Sequence, residues 1–92
     1  MLNETEDTIF IGKKPLMTYV TSAIIQLSVL PSITIKARGL SIGIAVDVVQ
    51  TIQRKTKAFE IGKITIDSES LESSDGKKRN VSTIEIPIKR TW

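Results

Sequence analysis

The segment Ile11-Gly12-Lys13-Lys14-Pro15 constrains this chain more than any other stretch, because two periodicities meet across it. Before it, Thr8-Ile9-Phe10-Ile11 alternates as a strand does, with Ile9 and Ile11 on one face. After it, Leu16, Val20, Ala23 or Ile24, and Leu27 recur every three to four residues, and Leu30 completes the stripe. That spacing predicts an amphipathic helix, which Pro31 stops within a residue or two. Pro15 suits the helix start, since the first amides of a helix lack intrahelical partners in any case. Two lysines therefore stand beside free helix N-terminal amides, a combination suited to phosphate.

The same step from strand to helix recurs. Ile33-Thr34-Ile35-Lys36-Ala37 reads as a second strand with its isoleucines inward, and Arg38-Gly39-Leu40-Ser41 turns into a second helix. The apolar stripe of that helix runs Ile42, Ala45 with Val46, Val49 and Ile52. Ile44 and Val48 lie off the stripe, which predicts a helix contacted on more than one side. Arg54, Lys55 and Lys57 crowd its C-terminal end, where cations oppose the helix dipole. The last third reads as a hairpin: Ile64 and Ile66 alternate with polar residues, Asp75-Gly76 is a turn signal, and Ile84, Ile86 and Ile88 mark the returning strand. Between Asp67 and Asn80 only Leu71 is apolar, so the hairpin extends past the core as an arm or opens into a loop. Pro87 lacks a donor and predicts an edge or an unpaired site in the final strand. The fold class that follows is α/β. The order β-α-β-α-β-β gives a two-layer sandwich with a four-stranded mixed sheet, two helices on one face, and an extended hairpin between the third and fourth strands.

Composition narrows the chemistry. Ninety-two residues make one small domain, read as residues 8–92 behind a mobile acidic leader at 1–7. All thirteen basic residues follow Thr8, whereas Glu4, Glu6 and Asp7 precede it, so the chain from Thr8 onward carries +6. A basic domain of this kind reads as a polyanion binder. Cysteine and histidine are absent, which removes disulfides, thiolate or imidazole metal sites, cysteine nucleophiles and histidine bases. Four aromatic residues offer little for base stacking along a strand, so backbone contact is easier to support than base readout. The apolar run at 16–33 is interrupted by Thr18, Thr21, Ser22, Gln26 and Pro31, and no basic leader precedes an apolar stretch. The expectation is a cytoplasmic protein with neither membrane partner nor cofactor nor metal.

Three basic groups are the candidate binding residues. Lys13 and Lys14 come first, and Gly12 beside them allows close backbone approach. Arg38 and Gly39 form the matching junction, and parallel neighbouring strands would bring both junctions to one sheet edge. Lys36 alternates with the inward isoleucines and is either part of that patch or simply solvent-facing. Lys77, Lys78, Arg79 and Asn80 follow the turn and could flank a duplex from a hairpin tip, although Glu69, Glu72 and Asp75 weaken the arm electrostatically. Enzymatic readings have little support. Asp67 and Glu69 share a strand face and would suit Mg²⁺, but no accompanying phosphate motif strengthens them, and Gly39-Leu40-Ser41-Ile42-Gly43 lacks the dinucleotide spacing.

IGKKPLMTYV, IKARGLSIGIAVDVVQ and NVSTIEIPIKR together resemble the Alba family of archaeal chromatin proteins, in the expected order from Ile9 to Arg90. The resemblance implies a small, non-enzymatic dimer that binds double-stranded DNA and RNA with little sequence preference. Helix-end surfaces would lie across the backbone and paired arms along the duplex. It implies Lys13 and Lys14 as the central pair, Lys14 as the lysine whose acetylation weakens binding, and Arg38 and Gly39 as the K-A-R-G turn. It also implies a chromosome-associated role, in a homodimer or a heterodimer with another Alba subunit. Leu40 and Gly43 stand where relatives are often basic, Asn80 where an arm arginine is common, and the phenylalanine that follows the second helix in relatives is replaced near Thr56. These departures suggest a divergent second-copy member. A structural RNA-binding subunit of a ribonucleoprotein and a protein–protein assembly subunit are the competing readings.

Overall fold

The computed structural model describes residues 7–92, so all of the 1–7 leader except Asp7 lies outside the described residues. Five strands and two helices follow in the order β1 (Thr8–Phe10), α1 (Leu16–Val29), β2 (Ser32–Arg38), α2 (Ser41–Lys55), β3 (Phe59–Ile61), β4 (Thr65–Glu72) and β5 (Lys78–Arg90). The α/β class, the mixed sheet and the succession of elements agree with the sequence reading. The strand count is five rather than four, because the segment after α2 divides at Gly62–Ile64.

β5 explains that division. It pairs β2 on one side, while β3 and β4 pair its C-terminal and N-terminal parts respectively. β1 joins β2 in parallel and the other pairings are antiparallel. Pro87 sits opposite Thr34, whose amide bonds outward to the Asp7 carbonyl, so the missing proline donor faces away from β2. It faces the break between β3 and β4, where Gly62 N–H donates to the Pro87 carbonyl at 2.8 Å. A Cβ at Gly62 would stand 3.2 Å from the Pro87 Cβ, so the approach suits glycine. The unpaired site expected from Pro87 thus exists, within a central strand.

The core lies between the sheet and the helices. Ile9, Ile33, Ile35, Ala37, Ile84, Ile86 and Ile88 point to the helices and are buried. They meet Tyr19, Val20, Ala23 and Leu27 of α1, and Ala45, Val48, Val49 and Ile52 of α2. Two details of α2 differ from the stripe expected: Val48 is fully buried and Val46 is 42% exposed. Val48 lies three and four residues from Ala45 and Ile52, so it completes the row that Val46 leaves. α1 ends where Pro31 requires, with Leu30 N–H donating to the Gln26 carbonyl.

Candidate nucleic-acid interface

Because β1 and β2 are parallel, the two strand-to-helix junctions emerge at one edge of the sheet. The Ile11 amide donates to the Lys36 carbonyl at 2.9 Å, which carries the β1–β2 ladder to the start of the first junction. Lys13 and Lys14 are exposed there, and Arg38 and Gly39 lie at the end of β2 beside them. Among the described residues neither helix has a side-chain cap or an acidic residue in its first turn, so both helices present a positive dipole end at this edge. Pro15 is the residue before the helix, in an extended conformation, rather than its first helical residue.

Tyr19 fixes the lysine loop. Its hydroxyl accepts hydrogen bonds from the amides of Gly12 at 2.8 Å and Lys14 at 3.0 Å, while the ring is buried. Tyr19 is not among the candidate residues that the sequence pattern singles out. Its signal is the four-residue spacing Tyr19–Ala23–Leu27, a second line of the same buried stripe.

Gly39 takes a left-handed φ of +57° and donates its amide to the Ser82 carbonyl at 2.9 Å, tying the second junction to the base of the arm. The arm is regular. β4 pairs β5 from Thr65↔Glu85 to Glu72↔Lys78, and the turn closes through Ser73, Asp75, Gly76 and Lys77. Gly76 has φ +82°, and the Asp75 carboxylate accepts from the Ser73 hydroxyl and from the Lys77 amide. Those bonds hold the Asp75 carboxyl below its ordinary value, the Ser73 hydroxyl contributing most. Since β5 runs antiparallel to β2 and Arg38 already meets Thr83, residues 78–82 project past the edge that carries Lys13 and Lys14. The arm gives the molecule its long dimension, 48 × 30 × 24 Å.

The site residues fall into three groups. Lys13, Lys14, Arg38 and Gly39 share the edge. Lys77 lies in the turn, while Lys78, Arg79 and Asn80 lie on β5; alternation sends Lys78 and Asn80 to the helix-side face and Arg79 to the opposite one. Lys36 and Arg38 stand on the open face of the sheet and have acidic partners: Lys36 Nζ is 2.9 Å from Glu85 and Arg38 is 3.7 Å from Glu69. Glu69 and Asp67 share the open face as expected. Among the described residues no group of three or more histidine, cysteine, aspartate or glutamate side chains is placed to hold a metal ion. No helix among the described residues is long and apolar enough to cross a membrane.

The Alba family model matches residues 7–68, a span that covers both junctions and ends within the first strand of the arm. The chain belongs to the Alba family. It is 67% identical to a "DNA/RNA-binding protein Alba" of Nitrosopumilus maritimus across 98% of this chain and 97% of that one. It is 42% identical to a protein of the same description from Methanocella arvoryzae, over 92% and 91% of the two chains. Among solved structures, Alba from Thermoplasma volcanium superposes with a TM-score of 0.83 at 40% identity, covering 90% of this chain and 99% of that one. The Alba assignment thus rests on sequence and on fold.

Proposed function

We propose that this protein is a non-enzymatic, sequence-nonspecific binder of double-stranded DNA and RNA that grips backbone phosphates and contributes to chromosome organisation in the cytoplasm. The Alba relatives described as DNA/RNA-binding proteins support the ligand class. The observation that carries the mechanism is the shared edge. Lys13, Lys14 and Arg38 line it beside two uncapped helix N-termini, and the arm bearing Lys77, Lys78, Arg79 and Asn80 projects past it. Lysines on a loop pinned by Tyr19 supply positive charge without base selectivity, so affinity comes from counterion release rather than sequence. Acetylation of Lys14 would remove one of these charges and weaken the grip.

The working unit in this reading is a dimer, homomeric or formed with another Alba subunit, in which two such edges and two arms share one face. Val48 and Ile88 are taken up by the monomer core, at 0% and 2% exposure, and are not open to a partner. Apolar surface that is open to a partner includes Ile64 and Ile66 at the arm base and Val46 on α2.

Replacing Lys13 and Lys14 together by alanine tests the reading. Binding of a short DNA duplex, followed by fluorescence anisotropy, should collapse while the far-ultraviolet circular dichroism stays unchanged. With six to ten phosphates contacted, wild-type affinity should fall roughly 10³- to 10⁵-fold between 50 and 200 mM salt. Affinity independent of salt, or unaltered by the double substitution, would rule out the phosphate mechanism.

A further inference from the structure

The open face of the sheet, which neither helix covers, holds a groove of about 530 Å³ that shares only Arg38 with the residues proposed to grip the backbone. Its size falls in the range of small-ligand sites, on the order of 300–1,000 Å³. Phe10 forms one wall. It alternates with the buried Ile9 and Ile11, so its ring stands on the open face and is 62% exposed. Cross-strand register then sets a row: Phe10 opposite Lys36, Lys36 opposite Glu85. Lys36 Nζ and the Glu85 carboxylate lie 2.9 Å apart, both partly open to solvent. Thr83 and Arg38 border the next row, toward the lysine edge.

We infer that this groove receives a single unpaired base of a bound strand, with guanine preferred. The inference rests on the phosphate reading above, since the strand is held at the Lys13–Lys14 edge while one nucleotide turns onto the sheet. An exposed aromatic ring on a sheet face is a stacking platform for an unpaired base. Beside it the ion pair presents a donor next to an acceptor. The Watson–Crick edge of guanine offers the complement, with O6 to accept from Lys36 and N1–H and N2–H₂ to donate to Glu85. Uracil repeats that order with one donor fewer, and adenine and cytosine reverse it. Phe10 and Glu85 are two strand spacings apart, about 10 Å, a span that a purine and one hydrogen bond can cover. The carboxylates of Glu85, Glu69 and Asp67 outnumber Lys36 and Arg38 around the groove, which disfavours a phosphate there and favours a base edge rich in N–H donors. A base paired within a duplex cannot enter, so the groove adds affinity only for single strands or for loops and bulges.

The test compares short oligouridine strands carrying one central guanosine or one central adenosine with a DNA duplex, all read by fluorescence anisotropy. Wild-type protein should favour the guanosine strand. Phe10→Ala should weaken that strand roughly 5- to 150-fold, the range of one base–aromatic stack, and leave the duplex within about twofold. Phe10→Trp should keep single-strand affinity, and Glu85→Gln should erase the preference for guanosine over adenosine. Equal binding of the two strands by the wild type, or equal loss of single strand and duplex in Phe10→Ala, would overturn the inference. So would unchanged single-strand binding in Phe10→Ala. Failure of the phosphate reading is distinguishable, because it would appear as salt-independent duplex binding by the wild-type protein.

Discussion

Tyr19 links the core to the surface through one oxygen. Its ring packs among the buried residues of α1 while its hydroxyl accepts the amides of Gly12 and Lys14, so the lysine loop inherits the rigidity of the helix. Without that hydroxyl both amides lose their acceptor, and the ring stays where it is. Tyr19→Phe should therefore destabilise the protein by about 1–2 kcal/mol, read as a lower urea midpoint with unchanged slope. Duplex affinity should fall as well, because Lys13 and Lys14 would no longer be held in place. Equal stability of the two proteins would mean that water satisfies the loop as well as the phenol does. The ion pairs matter differently. Lys36–Glu85 and Arg38–Glu69 lie on the surface, where such pairs contribute about 0–1 kcal/mol, so their importance is to aim side chains across the open face.

Among the elements, the arm depends most on local chemistry, since β4 and the start of β5 lie beyond the helices and bury almost nothing. Its tip is set by Gly76 and by the bonds that Ser73 and Lys77 donate to Asp75. The folded Asp75 carboxyl titrates below its ordinary value of 3.8, so its contribution to the turn is present above that pH and lost as pH falls through the lower folded value. The Lys77 amide chemical shift should accordingly titrate with a midpoint under 3.8, and Asp75→Asn should abolish the transition; a midpoint above 3.8 would contradict the geometry. Elements whose signal is local were legible from sequence. The two strand-to-helix junctions, the end of α1 at Pro31 and the arm turn at Asp75-Gly76 all follow from spacing or turn chemistry. What was not legible is non-local. Pro87 announced an unpaired site but not its cause, which lies in the β3–β4 break facing a central strand. The exchange of Val46 for Val48 in the core likewise depends on how α2 is rotated over the sheet, which neighbouring spacings do not fix. At the site, the cations, Glu69 and the facing of Phe10 could be read from sequence, whereas the row that joins Phe10, Lys36 and Glu85 enters only through cross-strand register.

At the scale of the whole molecule, the cations and one apolar row lie in different places. Lys13, Lys14 and Arg38 line the junction edge together with the fully exposed Leu40, whereas Ile66 lies 77% exposed at the base of the arm on the same side of the sheet as α2. Its cross-strand partner Ile84 is buried in the core, so Ile66 continues an apolar row that the monomer leaves uncovered. A second subunit covering Ile66 and Ile64 would fix the two arms relative to one another and double the phosphate contacts available to one duplex. Ile66→Lys separates this association from folding, because an exposed side chain on β4 can be exchanged with little effect on the monomer core. The variant should keep its circular dichroism and run as a monomer in sedimentation velocity, at concentrations where the wild type is expected to sediment as the proposed dimer. Its duplex affinity should drop, and the slope of log affinity against log salt should fall toward half, since each monomer brings only its own phosphate contacts. A variant that remains dimeric would move the partner surface elsewhere. One that becomes monomeric yet keeps the full salt slope would show that a single edge and arm already make every phosphate contact.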